Sequence, residues 1–376
     1  MPQLRYFTAG ESHGQCMVGI LEGLPAGLKI AADAINRDLA RRQKGYGRGG
    51  RMKIESDEAE VLSGMRRGET IGSPVTLMVK NRDFKINELP PVTKPRPGHA
   101  DLAGVIKYDR DDARDILERA SARETTIRVA IGAVCKLLLA EAGVSVVGHI
   151  VSIGSVQANT DGLTFQQIRE RSEASETRCA DLEAEKKMIA AVDEAKANGD
   201  TLGGVFEIVA VGVPIGLGSH VQWDRKLDAN IVRALMSIQA IKAVEAGLGF
   251  EAAHRFGSQV HDEILPAHEG LLTRASNNAG GFEGGMTNGQ PVVVRAAMKP
   301  LSTLMKPMRS VDIKTQEEVK ATVERSDVCA APAAAVIGEA VVAFELAKAL
   351  LDKFGGDSVR ELTRNIESYR EACKRW

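Results

Sequence analysis

At 376 residues, with a formal net charge of −1 and 44% hydrophobic against 26% charged side chains, the chain has the make-up of a globular protein with room for a large core. Near-neutral charge and 4% aromatics exclude bulk attraction to nucleic acid or anionic membranes and leave few platforms for stacking bases. Cys16, Cys135, Cys179, Cys329 and Cys373 form no metal-binding spacing, no signal-peptide pattern opens the chain, and no apolar run reaches the ~18 residues of a membrane span; a metal-free cytoplasmic protein is expected.

The first predicted strand, Leu4 to Thr8, runs into Gly10-Glu11-Ser12-His13-Gly14. Two glycines bracket an acid, a hydroxyl and an imidazole. This is either an ordinary turn or a turn that presents His13. Residues 19–28, GILEGLPAGL, read as a strand ending in a Pro-Gly turn. DAINRDLARR (33–42) then predicts a helix with Asp33 as N-cap. Residues 41–53, RRQKGYGRGGRMK, crowd Arg41, Arg42, Lys44, Arg48, Arg51 and Lys53 into a Gly-rich loop. Such a loop is a solvated basic segment, an RGG-like RNA contact, or a flexible clamp for a small anion. Scarce aromatics and near-zero net charge favour the clamp.

Residues 63–80 give a Gly-Met turn feeding a Pro-started strand. In RPGHAD (96–101) the Pro97-Gly98 turn lets Arg96 and His99 both project. The run KYDRDDARDILERASARETTIR alternates in sign, the pattern of a solvated face. Its end, Ser121-Ala122-Arg123-Glu124, matches a capping box opening a helix over 122–142. It serves as a plain cap or, with Arg119 and Arg123 flanking free amides, as an anion site.

A strand (146–153) and a charged helix (165–198) follow, and 150–200 reads as an insertion or subunit-contact arm. After it the chain repeats itself. IVAVGVPIGL (208–217) resembles 19–28, and DANIVRALMS (228–237) resembles the first helix, again with Asp as cap. GGMTNGQPVVVRAAMK (284–299) resembles 63–80, and ERSDVC (324–329) echoes ERASAR (118–123) before a last long helix, 332–354. Similarities in the same order, roughly 190 to 220 residues apart, predict a duplicated unit, about 4–145 and 203–355, within one domain spanning 1–376 and followed by a tail, 356–376. Gly-rich residues 278–285 and the loop after them, with Lys299, Ser302 and Thr303, match no Walker or Rossmann pattern. Asp327, beside Arg325, is a helix cap or a proton acceptor. Alternating strands and broadly apolar helices predict an α+β fold with long helices against two antiparallel sheets.

GESHGQCMVGILEGLP, RPGHAD, ERASARETTIRVAIGA and RSDVCAAPAAAVIGEA together resemble the chorismate synthase family, along residues 4 to 351. The resemblance implies a β-α-β sandwich of helices between antiparallel sheets, usually a homotetramer. It implies a 1,4-anti elimination of phosphate from 5-enolpyruvylshikimate 3-phosphate, giving chorismate for aromatic amino acid synthesis. Reduced FMN is required without net redox change, and NADPH is a candidate reductant.

Carried across, the resemblance makes His13 the imidazolium that assists the departing phosphate. His99 lies against the reduced flavin near N1, and Asp327 accepts the substrate proton by way of N5. Ser12 and Ser121 support them. Arg42, Arg48, Arg96 and Arg123 hold substrate phosphate and carboxylates, with Arg42 and Arg48 also assigned to NADPH. FMN contacts are Arg119, Ala120, Ser121, Gln239, Ala240, Gly284, Lys299, Pro300, Leu301, Ser302, Thr303 and Arg325. Ala120, Gln239, Leu301 and Val328 depart from the family's usual Ser, Asn, Thr and Pro, which weakens individual cofactor contacts and not the reaction. The competing readings are an anion- or RNA-binding protein and a flavoprotein performing net hydride transfer.

Overall fold

The computed structural model describes residues 4–49, 56–268, 271–324 and 326–375. Strict alternation builds the first sheet. Strands β1 (Arg5–Ala9) and β2 (Cys16–Glu22) are followed by helix α1 (Ala32–Gln43), then β3 (Ala59–Ser63) and β4 (Val75–Lys80). Met17, Leu21, Val75, Leu77 and Val79 are fully buried on one face, while Phe7 and Ile20 look outward. All neighbours are antiparallel, in the order β1-β2-β4-β3.

Two short helices, α2 (Asp101–Tyr108) and α3 (Arg114–Ala120), lead to α4 (Thr125–Glu141). Next come β5 (Ser145–Ile153), α5 (Phe165–Ala174), α6 (Leu182–Ala197), β6 (Gly204–Val211), α7 (Leu227–Met236), β7 (Ile241–Ala246) and β8 (Val292–Met298). The chain closes with α8 (Ala331–Phe354) and α9 (Val359–Cys373). The second sheet runs β5-β6-β8-β7, also antiparallel, with the short strand Val156–Gln157 outside β5.

The two sheets are threaded alike. In each, the first two strands pair, a helix follows, the fourth strand enters between the second and third, and a long helix comes last. Helix α4 packs on the first sheet, α8 on the second, and the two pack on each other. A side chain at Gly132 would collide with Ala340, so a bare backbone is required where α4 and α8 cross. The fold is therefore α+β, with the long helices α4 and α8 buried between two antiparallel sheets. Although α8 is long and apolar, no described helix is long and apolar enough to cross a membrane.

The likeness extends to single hydrogen bonds. Thr70 Oγ1 donates to Pro25 O (2.6 Å) and accepts from Leu28 N (2.9 Å). Thr287 Oγ1 donates to Pro214 O (2.6 Å) and accepts from Leu217 N (2.9 Å). Gly27 N and Gly216 N each bond the carbonyl of the same threonine at 2.8 Å.

Several local expectations change. Asp33 and Asp228 sit inside the first turns of α1 and α7, where they meet the helix dipole instead of capping. The charged helix expected over 165–198 is two helices: the first ends at Ala174 where Ser175 turns extended, Arg178 (φ +59°) lies in the gap, and Asp181 caps α6. The strand expected inside the insertion is β5, which occupies in the second sheet the place that β1 holds in the first. A 3-10 turn, Ala122–Glu124, precedes α4. Ser121 accepts from Arg123 N (3.2 Å), but Glu124 does not reach back. Glu124 accepts instead from Thr8 Oγ1 (2.9 Å) and Gln239 Nε2 (3.4 Å), so long-range partners replace the local box.

Candidate active site

The β1–β2 turn carries His13. Gly10 (φ +111°) starts it, and a side chain there would collide with Cys16 O, so the turn requires glycine. Asn81 holds the turn from behind, donating to Glu11 O (3.1 Å) and Gly14 O (2.7 Å). The imidazole meets α3. His13 Nδ1 lies 2.9 Å from Glu118 Oε1, and His13 N donates to Glu118 Oε2 (2.8 Å). A carboxylate only accepts, so Nδ1 is the donor and Nε2 is left for other work. Nε2 stands 3.7 Å from Asp83 Oδ2. Burial opposes the charge on Glu118, but the His13 and Arg114 hydrogen bonds outweigh it and hold the carboxyl below its usual range. Ser12, buried beside His13, donates its backbone N–H to Glu118 O (2.9 Å).

The arginines gather next to this turn. Arg123 Nε donates to Asn81 Oδ1 (2.8 Å), and Arg123 pairs with Asp57 at 2.5 Å. Arg42 also faces Asp57 (3.5 Å), and donates to Thr125 Oγ1 (3.1 Å) and Ala122 O (2.9 Å). Arg48 pairs with Asp327 Oδ2 at 2.8 Å, while Gly49 N donates to Oδ1 (2.6 Å). Burial depresses Arg42 to about 9, and the like charges of Arg48 and Arg123 add to this although Asp57 opposes it. Such a site is improved by an anion bound between the guanidinium groups.

The RPGHAD loop forms a second group. His99 Nδ1 lies 2.5 Å from Asp101 Oδ1, and Arg96 Nε donates to Asp101 Oδ2 (2.8 Å). Burial works against the Asp101 carboxylate, but His99 and Arg96 hold it well below the usual range. Arg96 also donates to Thr303 Oγ1 (3.0 Å). Ser302 Oγ donates to Gly98 O (2.9 Å) and accepts from Lys299 Nζ (2.8 Å). Thus the loop after β8 holds the loop that presents His99. Burial and the neighbouring Lys242 both lower the Lys299 ammonium. Lys299 N bonds Ala240 O (2.9 Å), and Ala240 is in the left-handed region (φ +67°), a strained conformation for alanine. Next to it Gln239 donates to Glu124, while its buried Oε1 has no partner. Arg119 donates to Gly10 O (2.9 Å) and Thr8 Oγ1 (2.7 Å), which brings the α3 end against the His13 turn.

Most of the expected residues therefore converge. Ala120 ends α3, and Leu301 O is taken by Thr201 Oγ1 (2.8 Å), with exposed Pro300 before it. Gly284 is the exception. It lies beside Gly285, whose carbonyl accepts from Leu227 N at the start of α7, a helix of 10 residues, roughly 15 Å, away from Gln239 at the other end. Arg325, and Arg51 and Lys53 of the basic loop, lie outside the described residues. Glu118, Asp57, Asn81 and Asp101 were not singled out as site residues in the sequence. Glu118 belongs to the alternating-sign run read as a solvated face, yet it is buried.

The chorismate synthase family model matches residues 4–351. Over 388 aligned positions the chain is 60% identical to the chorismate synthase of Geobacter sulfurreducens, covering 98% of both chains. It is 56% identical to that of Bacillus cytotoxicus, covering 99% of this chain and all of the other. A crystal structure of chorismate synthase superposes with a TM-score of 0.83 at 46% identity, each chain covered in full. With the fold, the motifs and full-length identity in agreement, the chain belongs to the chorismate synthase family and is a carbon–oxygen lyase.

Proposed function

We propose that this chain converts 5-enolpyruvylshikimate 3-phosphate to chorismate and phosphate, with reduced FMN present and no net redox change, in the shikimate pathway. The observation that carries the reading is His13, clamped by Glu118 beside Arg42, Arg48 and Arg123. The substrate bears a phosphate and two carboxylates, and a cluster of buried guanidinium groups suits it.

In the elimination one C–O bond to phosphate and one C–H bond break, and a C=C bond forms. His13, as imidazolium, donates from Nε2 to the departing phosphate, where charge develops in the transition state. Glu118 orients the ring and balances its charge. Arg42, Arg48, Arg96 and Arg123 bind the substrate anions and fix its ring. Asp327 is the final acceptor of the ring proton. Arg48, paired with it at 2.8 Å, holds it in place. His99, oriented by Asp101, holds a proton at the cofactor side, and Ser12 and Ser121 support the hydrogen-bond pattern.

The donors present fit a flavin phosphate and an amide-bearing ring system. Lys299, Ser302, Thr303, Arg119 and Ser121 supply charge and hydroxyl groups, and the unpartnered Gln239 Oε1 is an acceptor aimed at no protein donor. Ala120, Ala240, Gly284, Pro300, Leu301 and Arg325 complete the proposed set. Reduced FMN, when bound, supplies an electron-rich ring that eases phosphate loss. NADPH as reductant would share Arg42 and Arg48.

A homotetramer in the cytoplasm is proposed with it. Trp223, Phe250 and Phe256 are 76%, 74% and 80% exposed, which supports burial between subunits. Residues 1–376 act as one domain of two pseudo-repeats, 4–145 and 203–355, with the second taking its first strand, β5, from before the helical insertion; the matched Thr70 and Thr287 bonds support this reading. The test is anaerobic mixing of protein, photoreduced FMN and substrate. Phosphate and chorismate should appear together with no reductant consumed. Stoichiometric reductant use, or phosphate without chorismate, would refute the reading.

A further inference from the structure

Helices α5 and α6 stand in the chain between β5 and β6, and no part of the chemistry above uses them. They pack on the edge of the second sheet and also touch the anion-binding loop. Arg41 and Arg42 are consecutive in the last turn of α1, so they leave the helix about 100° apart. Arg42 turns to Thr125 and Ala122 in the site. Arg41 turns away, to Asp38 Oδ1 (2.8 Å) on its own helix, Glu339 Oε1 (2.6 Å) on α8 and Glu173 on α5 (Nε to Oε1 2.9 Å). Arg178, which lies in the break between α5 and α6, also donates to Glu173 Oε1 (2.6 Å). Lys136 of α4 closes the group through Asp38 (2.8 Å) and Glu339.

The loop after α1 is gripped in the same way. Tyr46 N donates to Glu176 O (2.8 Å), and Tyr46 Oη donates to Asp193 Oδ1 on α6 (2.8 Å). Gly47 fits against Val192 of α6 on one side and Cys329 on the other, and its carbonyl accepts from Val328 N (2.8 Å). The next residues are Arg48 and Gly49, which take both oxygens of Asp327.

We propose that the helical insertion is a buttress for the anion-binding loop, with Arg41, Tyr46 and Glu173 as positioning residues that set where Arg42 and Arg48 stand. Buried ion networks add little net stability compared with apolar packing, because desolvation opposes the Coulomb gain. What such a network supplies here is direction. Three carboxylates from three elements use up the fork of Arg41, so α1 ends in one orientation. The loop beyond it is pinned between α6 and the start of α8.

The inference rests on the proposed substrate role of Arg42 and Arg48, and its test separates the two. The Glu173→Gln, Tyr46→Phe double variant is compared with the parent for amide hydrogen exchange across 44–49, thermal unfolding, and KM and kcat for 5-enolpyruvylshikimate 3-phosphate. Faster exchange in 44–49, KM raised about tenfold and kcat within about twofold are expected, with the unfolding midpoint little changed. Combined with Arg48→Ala, the KM effects should fall short of additive, as residues acting through one another do. Unchanged exchange in 44–49, or fully additive KM effects, overturns the buttress. If Arg48→Ala alone leaves KM unchanged while exchange in the double variant rises, the substrate role of Arg48 fails and the buttress stands. Tyr46→Phe alone, which removes one exposed hydroxyl contact, carries the same test should the double variant not fold.

Discussion

The connection from the first to the second strand is used very differently in the two halves. Between β1 and β2 it is a tight turn, Gly10 to Gln15, that delivers His13 to Glu118. Between β5 and β6 the same connection holds α5 and α6, which carry none of the proposed catalytic groups and lie against the loop bearing Arg48. Both sheets tolerate their connection because strand pairing, not the link, sets the register. The comparison teaches that one scaffold offers equivalent ends. In the proposed roles, the short link sets His13 against Glu118, and the long one reaches the loop bearing Arg48.

The largest test of the contrast is His13→Ala. Turnover should fall about a thousandfold, the scale of a lost proton donor, with flavin affinity and unfolding midpoint unchanged. Parent-like turnover would leave the turn without its chemical role. Next is Asp101→Asn, which removes the buried partner of Arg96 and His99. A loss of about 3 kcal/mol in urea unfolding is expected, since it strands a buried charge. Asp101 and Glu118 are both held below the usual carboxylate range. Each therefore contributes stability that is complete above about pH 4 and is lost as pH falls through its own lowered range. The Asn variant should show a flatter acid limb. An acid limb as steep as the parent's would contradict this.

Glu118→Gln comes third. It keeps the shape of the carboxylate but not its charge, so kcat should drop about tenfold to a hundredfold with KM for substrate within about twofold. A change confined to KM would assign Glu118 to binding. The smallest effects sharpen the likeness between halves. Thr70→Val and Thr287→Val each remove a buried hydroxyl bonded to a proline carbonyl and a leucine amide. Each should cost about 1–3 kcal/mol, and the two losses should agree closely in chemical denaturation. A large disparity would show that the matched bonds are not equivalent in energy.

The legibility of the molecule follows the range of its interactions. The His13 turn, the alternating strands and the long helix α8 are read easily, because periodicity and glycine turns are written within a few residues; the final helix α9 reads only as a tail. The likeness of GLPAGL and GVPIGL is legible for the same reason, and the two turns share the same hydrogen bonds. Boundaries that depend on distant partners are not. Glu124 was expected to close a capping box and instead bonds Thr8 and Gln239 from elsewhere in the chain. Helix 165–198 was expected whole, and breaks after Ala174, where the connecting segment carries Arg178 back to Gly148 O (3.1 Å) and Glu173. Glu118 looked solvated because charge alternation does not reveal which side faces a turn a hundred residues upstream.

By itself the sequence determined most of the strands and long helices and the residue types from which an anion site is made, because those rest on local periodicity and side-chain chemistry. Only the tertiary structure decided that Arg42 faces the site while adjacent Arg41 faces the insertion, and that His13 is aimed by Glu118. Those choices depend on groups far apart in the chain whose meeting is enforced by the packing of α4 and α8 between the sheets.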